Sequence, residues 1–129
     1  MTTATKKMPE PIQQWIKALR SGKYEQGRER LRDGNKFCCL GVLCDISKQG
    51  KWETAYDGEE EYTSPEGACE VNLPRFVQKW AGVWSGSGLF HMQKKQVTLV
   101  NLNDVTKLNF EQIAEVIEEN WESLITGSQ

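Results

Sequence analysis

The stretch Phe37-Cys38-Cys39-Leu40-Gly41-Val42-Leu43-Cys44-Asp45-Ile46 is the long apolar run of an otherwise polar chain. Because apolar side chains are driven out of water, this run predicts the centre of the hydrophobic core. Its length alone fits either a buried strand or a buried helix. The helical spacing of Leu40, Leu43 and Cys44, with Asp45 on the opposite side, favours a helix over residues 39–49 that ends before Gly50.

The size and charge of the chain set limits on its class. A length of 129 residues fits one domain with a single core. The net charge of −2 gives no field that would attract nucleic acid or an anionic membrane, so direct nucleic-acid binding is not expected. The sequence has neither an apolar leader nor a run of about 18 apolar residues, so we expect a cytoplasmic protein without a membrane span.

Four cysteines are present, and three of them lie in the apolar run. Without an export signal, reduced thiols are the better expectation. Cys38 and Cys39 are adjacent, and the spacing to Cys44 and Cys69 lacks the C-x2-C pairs of a structural zinc site. With one histidine available, we expect no metal and no cofactor, and we interpret the thiols as small core side chains.

The remaining patterns predict an α+β fold. Helices are expected over 11–21, over a short segment opening at 72–74 and stopping at Gly82, and over 109–126, where Asn109 and Gln112 form a capping-box pattern. Alternation predicts a hairpin over 51–63 and a strand over 97–102. The sequence therefore predicts a flexible tail at residues 1–10 and a single small domain over 11–126, with three to four helices packed on short antiparallel hairpins.

Arginines alternate with other residues at Arg28, Arg30 and Arg32, before a tight-turn sequence at 33–35. The alternation predicts a strand over 24–36 that enters a hairpin turn, with the three guanidinium groups on one face. Forked guanidinium donors match phosphate oxygens, so this face is a candidate anion site. The alternative is a solvated face neutralised by carboxylates.

The segment 83–91 places two glycines and two serines between aromatic residues. Such a loop offers stacking surfaces and hydroxyl donors to a small ligand, although it lacks the glycine spacings of dinucleotide or triphosphate loops. Together with the arginines, it gives the candidate ligand-binding set: Arg28, Arg30, Arg32, Trp84, Ser85, Ser87, Phe90, His91 and Lys94.

Carboxylates concentrate in two places that form the alternative, protein-binding set. One is the tip of the predicted hairpin, and the other is the outer face of the last helix. Either surface could block a basic groove of a partner protein, although acidic runs are often only solvated. The residues are Asp57, Glu59, Glu60 and Glu61 at the tip, and Glu115, Glu118 and Glu119 on the helix.

A second alternative is a cysteine-dependent hydrolase or transferase. It would need Cys38, Cys39 or Cys44 as nucleophile, with His91 and Asp104 as base and orienting group. A reactive thiolate requires an exposed, electropositive setting, whereas these cysteines lie in the most apolar run. Catalysis is therefore the less favoured class.

Three sequence patterns carry a resemblance to a known group. They are Trp15-x2-Ala18-Leu19-Arg20-Ser21-Gly22-x-Tyr24-x-Gln26-Gly27, then Phe37 to Asp45 of the apolar run, then Leu102-Asn103-Asp104 before Phe110-x2-Ile113-Ala114-x2-Ile117-Glu118. Together they resemble small, mostly uncharacterised proteins of tailed bacteriophages and prophages, over about residues 15–120. The resemblance implies no catalytic residues. It implies a phage accessory protein in the host cytoplasm. Many proteins of this class counter host defence by binding a ligand or a host protein.

The residues and the resemblance together lead to one ranked expectation. We expect an accessory protein that sequesters a small anionic, nucleotide-like ligand. The alternative partner is a host defence protein blocked by an acidic surface. The sequence does not determine the oligomeric state, and it is compatible with a homo-oligomer.

Overall fold

A computed structural model describes residues 7–127 of the chain, in which short strands alternate with helices. The part of the predicted tail at residues 1–6 lies outside the described residues. Met8 packs against the core, and the first helix begins at Glu10. In chain order the elements are α1 (Glu10–Arg20), β1 (Glu25–Gln26), β2 (Arg32–Asp33), β3 (Lys36–Phe37), α2 (Cys39–Ser47), β4 (Lys51–Thr54), β5 (Glu60–Ser64), β6 (Gly67–Cys69), α3 (Arg75–Ala81), β7 (Leu89–Met92), β8 (Lys95–Thr98), α4 (Leu99–Asp104) and α5 (Phe110–Thr126).

The apolar run forms the central helix α2, as its spacing predicted. Leu40, Leu43 and Cys44 are completely buried. The thiol of Cys38 caps the helix by accepting a hydrogen bond from Gly41 N at 3.4 Å. The helix ends two residues earlier than predicted, because Lys48 adopts the left-handed conformation, with φ of 55°, that was expected of Gly50.

Helices α1 and α5 pack against each other, and α1 also packs on α2. The indole of Trp15 donates a hydrogen bond to Cys39 O at 2.9 Å, which satisfies its polar atom inside the core. The predicted capping box of α5 is confirmed, since Asn109 and Gln112 exchange side-chain to backbone hydrogen bonds. Helix α5 bends at Asn120 and ends at Gly127, whose φ is 72°.

The strands form three small sheets, ordered β1-β3-β2, β4-β5-β6 and β7-β8. All pairs are antiparallel except β1 with β3. The predicted hairpin over 51–63 is confirmed as β4 and β5, with Trp52 opposite Tyr62 on the core side and Glu53 opposite Glu61 on the outer side. Helices packed on short, mainly antiparallel hairpins make this an α+β fold, as expected.

The strand predicted over 24–36 is wrong in its middle part. Glu29 has a φ of 74°, which interrupts the extended backbone and destroys the alternation of side chains. Two short strands remain at the ends of the segment. The predicted turn at 33–35 is confirmed, because it joins β2 to β3 with Arg32 opposite Phe37.

The strand predicted over 97–102 is also wrong in its second half. The hydroxyl of Thr98 accepts a hydrogen bond from Asn101 N at 3.1 Å, so Thr98 ends β8 and caps α4. The apolar residues that follow are therefore helical. None of the helices within residues 7–127 is both long and apolar enough to cross a membrane.

Candidate functional site

The three sequence patterns meet at one buried side chain, that of Asn103. Its exposure is 0 %, yet it makes four hydrogen bonds. Its oxygen accepts from Gln26 Nε2 at 2.9 Å and from Cys39 N at 3.3 Å. Its amide nitrogen donates to Gly27 O at 2.9 Å and to Asp104 Oδ1 at 2.8 Å. All hydrogen-bonding positions of this side chain are thus satisfied, which is the condition for burying it.

A second contact joins the same patterns on the other side of α2. Asp45 accepts hydrogen bonds from the Tyr24 hydroxyl and from Trp52 Nε1. Partial burial and the bond to Asp45 raise the pKa of Tyr24 far above its usual range, so Tyr24 is a donor at every working pH. Tyr24, Asp45 and Asn103, which belong to the three sequence patterns, therefore make contacts that stabilise the fold.

The thiols of Cys38, Cys39 and Cys44 are closed off from solvent, with exposures of 5 %, 0 % and 0 %. Burial raises the pKa of Cys38 to about 11 and those of the other two well above the usual range. Within residues 7–127 no hydrogen bond joins His91 to these thiols or to Asp104. The geometry gives the cysteine-dependent mechanism no activated nucleophile.

We expect alkylation of the native protein to modify Cys69 alone at about pH 8. Cys69 is the partly exposed cysteine, so reagent can reach it even though partial burial raises its pKa, whereas the buried Cys38 thiol, with a pKa near 11, is closed to reagent and almost entirely protonated at that pH. Intact-mass measurement after brief iodoacetamide treatment should show one added group, and none with Cys69→Ser. Rapid native labelling of Cys38 would instead restore the enzyme alternative.

The three arginines of the predicted anion face are used inside the protein. Arg28 Nε donates to Asn103 O at 3.1 Å, and Arg30 forms an ion pair with Glu59. Arg32 donates to Gly34 O at 2.9 Å, and its guanidinium lies 5.1 Å and 5.5 Å from the ring centres of Phe37 and Trp52. Glu60 lies 3.7 Å from it. The prediction that the three guanidinium groups lie on one face of a strand is wrong. A ligand-binding role of these residues stays a prediction.

The predicted glycine-serine loop is partly ordered into secondary structure. Ser85 Oγ accepts from Leu89 N at 2.7 Å, and Phe90 is fully buried, so its ring is not available as a stacking surface. His91 and Lys94 lie on β7 and in the turn after it, and Trp84 remains 46 % exposed. The backbone of Ser87 accepts from Val100 N at 3.3 Å.

The loop and the arginines are placed at opposite ends of α4. Ser87 and Gly88 accept hydrogen bonds from its first residues, whereas Arg28 binds the carbonyl of Asn103 near its last residue. Arg30 and Arg32 turn instead toward β5, through Glu59 and Glu60. The residues predicted for one small-ligand site therefore contact different elements of the fold.

The acidic face of α5 is partly neutralised by α1. Arg20 contacts Glu111 at 2.9 Å and Glu118 at 3.2 Å, and these carboxylates raise the pKa of its guanidinium. Glu115 and Glu119 are exposed and have no cationic partner within the described part of the chain. This face carries none of the large exposed apolar side chains of the protein.

The acidic hairpin carries a second carboxylate cluster, which we call the acidic sheet face: Asp57, Glu59, Glu61 and Glu70, with the adjoining Tyr56 and Val71. Glu61 lies on the outer side of β5 opposite Glu53. Partial burial, followed by the neighbouring Asp57, raises the pKa of Glu70, and Glu61 and Glu59 add to the effect. Lys51 pairs with Glu53 and Arg30 with Glu59, but Asp57, Glu61 and Glu70 have no cationic partner within residues 7–127.

Apolar groups adjoin these carboxylates. Tyr56 is fully exposed beside the hairpin turn, and Val71 is 42 % exposed. Val71 lines a groove of about 340 Å³ together with Glu61, Ala68, Cys69, Glu70 and Asn72. Glu70 and Val71 were not among the predicted site residues, because no strand was predicted where β6 precedes them. The alternation of Ala68 and Glu70 about Cys69 was the available signal.

Comparison with known proteins places the chain in a family. No curated protein and no solved structure matches it significantly. Residues 8–121 match the family described as a domain of unknown function, DUF8296. This range covers the helices α1 to α4, all three sheets and most of α5, including every residue of the Asn103 network. The chain belongs to the DUF8296 family.

Proposed function

We propose that this protein is a phage accessory protein that acts in the host cytoplasm by docking its acidic sheet face onto a basic surface of a host defence protein. The phage context rests on the three sequence patterns. The observation that carries the docking surface is an exposed tyrosine, Tyr56, combined with carboxylates that have no cationic partner within residues 7–127, namely Asp57, Glu61 and Glu70.

Like-charge repulsion on this face favours a cationic partner. Glu53 and Glu61 stand directly opposite each other, an arrangement that costs stability in a sheet. The pKa of Glu70 is raised first by partial burial, and the neighbouring carboxylates of Asp57, Glu61 and Glu59 add to the shift. A lysine or arginine of a partner would reduce the repulsion between these carboxylates. Binding would therefore gain free energy from the reduced repulsion as well as from the direct attraction between opposite charges.

The apolar residues make this face a better docking surface than α5. Protein interfaces derive most of their affinity from a few anchors, and tyrosine is among the commonest. Tyr56 provides such an anchor beside Asp57, and the groove at Val71 can accept an apolar side chain of the partner. The face of α5 offers charge without an anchor, and Arg20 already neutralises part of that charge.

We expect the double variant Glu61→Gln/Glu70→Gln, and separately Tyr56→Ser, to lose a partner that the parent protein retains from phage-sensitive host cells. The parent should retain it at about 0.1 M salt and release it near 0.5 M, because surface charges are screened over shorter distances at higher salt. Retention should also weaken as pH falls through the titration of Glu70, since a protonated carboxyl no longer attracts a cation. Quantitative mass spectrometry of the retained proteins measures this.

The matched control is Glu115→Gln/Glu119→Gln on α5, which removes the same charge from the other acidic surface. It should retain the partner and still protect phage from host defence in plating assays, whereas the sheet variants should fail in both. Loss of the partner only in the α5 control would transfer the binding surface to α5 and refute the proposal for the sheet.

A further inference from the structure

A groove of about 340 Å³ lies between α3 and the segment after it. It is lined by Arg75, Gln78, Lys79, Gly82, Val83 and Trp84. Arg75 and Lys79 are four residues apart on one helix and therefore project on the same side. Both side chains are exposed, so the groove carries two positive charges beside an aromatic ring.

Arg75 differs from the other arginines of the protein. Arg20, Arg28, Arg30 and Arg32 each contact a carboxylate or a backbone carbonyl. Neither Arg75 nor Lys79 has a hydrogen bond or an ion pair within the described residues. Two cations with no internal partner in one groove leave their donors available to an anion from outside.

Trp84 is held in a fixed orientation although it is 46 % exposed. Its indole N–H donates to Leu89 O at 3.1 Å, and its backbone N–H donates to Leu124 O at 3.1 Å. Gly127 packs so closely on the indole that a Cβ there would lie 2.7 Å from Nε1. An exposed ring that is already ordered loses little entropy when another planar group stacks on it.

We propose that this groove binds a nucleotide, with the base stacked on Trp84 and the phosphates held by Arg75 and Lys79. A planar base and an adjacent polyanion together match the ring and the two cations, whereas either part alone matches only half of the groove. The groove is small and open, so the site suits a mononucleotide with a dissociation constant on the order of 100 μM. This site combines Trp84, which the sequence predicted as a ligand-binding residue, with Arg75 and Lys79, and none of the arginines at 28, 30 and 32 lines the groove.

The test is calorimetric titration of the full chain with ATP, tripolyphosphate, adenosine and a ten-residue oligothymidylate. We expect ATP to bind with one site, and tripolyphosphate and adenosine to bind at least about tenfold more weakly, because each lacks one half of the ligand. Arg75→Ala and Lys79→Ala should each weaken ATP binding about tenfold or more. Trp84→Ala should do the same, and thermal melting shows whether that variant remains folded.

Two control variants separate this site from other surfaces. Lys23→Ala removes an exposed lysine outside the groove and should leave ATP affinity within about twofold. Glu61→Gln/Glu70→Gln should also leave ATP affinity unchanged. The ATP titration therefore tests nucleotide binding in the groove independently of docking by the acidic sheet face. Any of the following would overturn the proposal: no ATP binding at about 5 mM, tripolyphosphate binding as tightly as ATP, or unchanged ATP affinity in Arg75→Ala and Lys79→Ala. Tenfold tighter binding of the oligonucleotide would assign the groove to single-stranded nucleic acid and refute the mononucleotide.

Discussion

Gly41→Ala should destabilise the protein by about 3 kcal/mol or more, and we expect the variant to lose cooperative folding under conditions where the parent is folded. A Cβ at position 41 would lie 2.8 Å from the carbonyl carbon of Leu31 and closer still to its oxygen. Leu31 is completely buried, and its carbonyl accepts a hydrogen bond from Cys38 N, so this backbone cannot withdraw without breaking the entry to α2. Urea unfolding followed by circular dichroism measures the change.

The direction of this effect opposes helix propensity. Alanine in place of glycine inside a helix normally gains about 1 kcal/mol. Gly58→Ala is the matched control, because nothing lies within 4 Å of the added methyl group and only the φ of 89° opposes it. It should cost about 1 kcal/mol. A stabilised Gly41→Ala variant would show that the chain at Leu31 does not cross α2 at this distance.

Asn103→Leu should cost about 3–6 kcal/mol, because the new side chain has a similar volume but no polar atoms. The backbone N–H of Cys39 and the carbonyl of Gly27 would then be left without the partner that they have in the native core. Each buried polar group that loses its partner costs roughly 1–3 kcal/mol. Thermal and urea unfolding should both shift, and the ends of β1 and α2 should exchange their amide protons faster.

Asn101→Leu provides the control on the same helix. Asn101 is exposed, and within the described residues its side chain makes a single hydrogen bond, accepted from the Thr106 hydroxyl at 3.4 Å. Its replacement should change the unfolding free energy by less than about 0.5–1 kcal/mol. If the two variants were equally stable, the hydrogen bonds of Asn103 would not be what stabilises the packing of the three sequence patterns.

Helices that carry their own signals could be predicted from the sequence. Local patterns can be recognised from neighbouring residues alone, without knowledge of the rest of the fold. Examples are the capping box at Asn109, the glycine at position 127 and the apolar spacing of α2. The segment 24–36 could not be predicted as well. Its alternating arginines satisfy the strand rule. However, Arg28 binds a carbonyl on α4 that is 75 residues away, and Arg30 binds a carboxylate just before β5 that is 29 residues away.

The candidate surfaces were predictable only in part for the same reason. The tip of the acidic hairpin was found because its carboxylates are consecutive, whereas Glu70 joins them only through the pairing of β6 with β5. Phe90 looked like a stacking ring beside glycines and serines, yet its place on β7 directs it into the core. Arg75 and Lys79 could not be predicted as site residues, because what distinguishes them is the absence of a hydrogen-bond or ion-pair partner within the described residues. Sequence spacing does not reveal that property.

The contact between α1 and α5 has a consequence for the order in which the chain can fold. Ile12 and Trp15 lie on a helix made early in synthesis, but its partner α5 begins about 100 residues later. Helix α2, which also packs on α1, emerges soon after it. At a translation rate of roughly 5–20 residues per second, however, the part of α1 that packs on α5 stays uncovered for several seconds while the intervening hairpins emerge. Contacts so distant in sequence also slow folding after release. A ribosome-bound chain that stops before Phe110 should therefore remain a protease-sensitive target, and protection should begin only when α5 has left the exit tunnel.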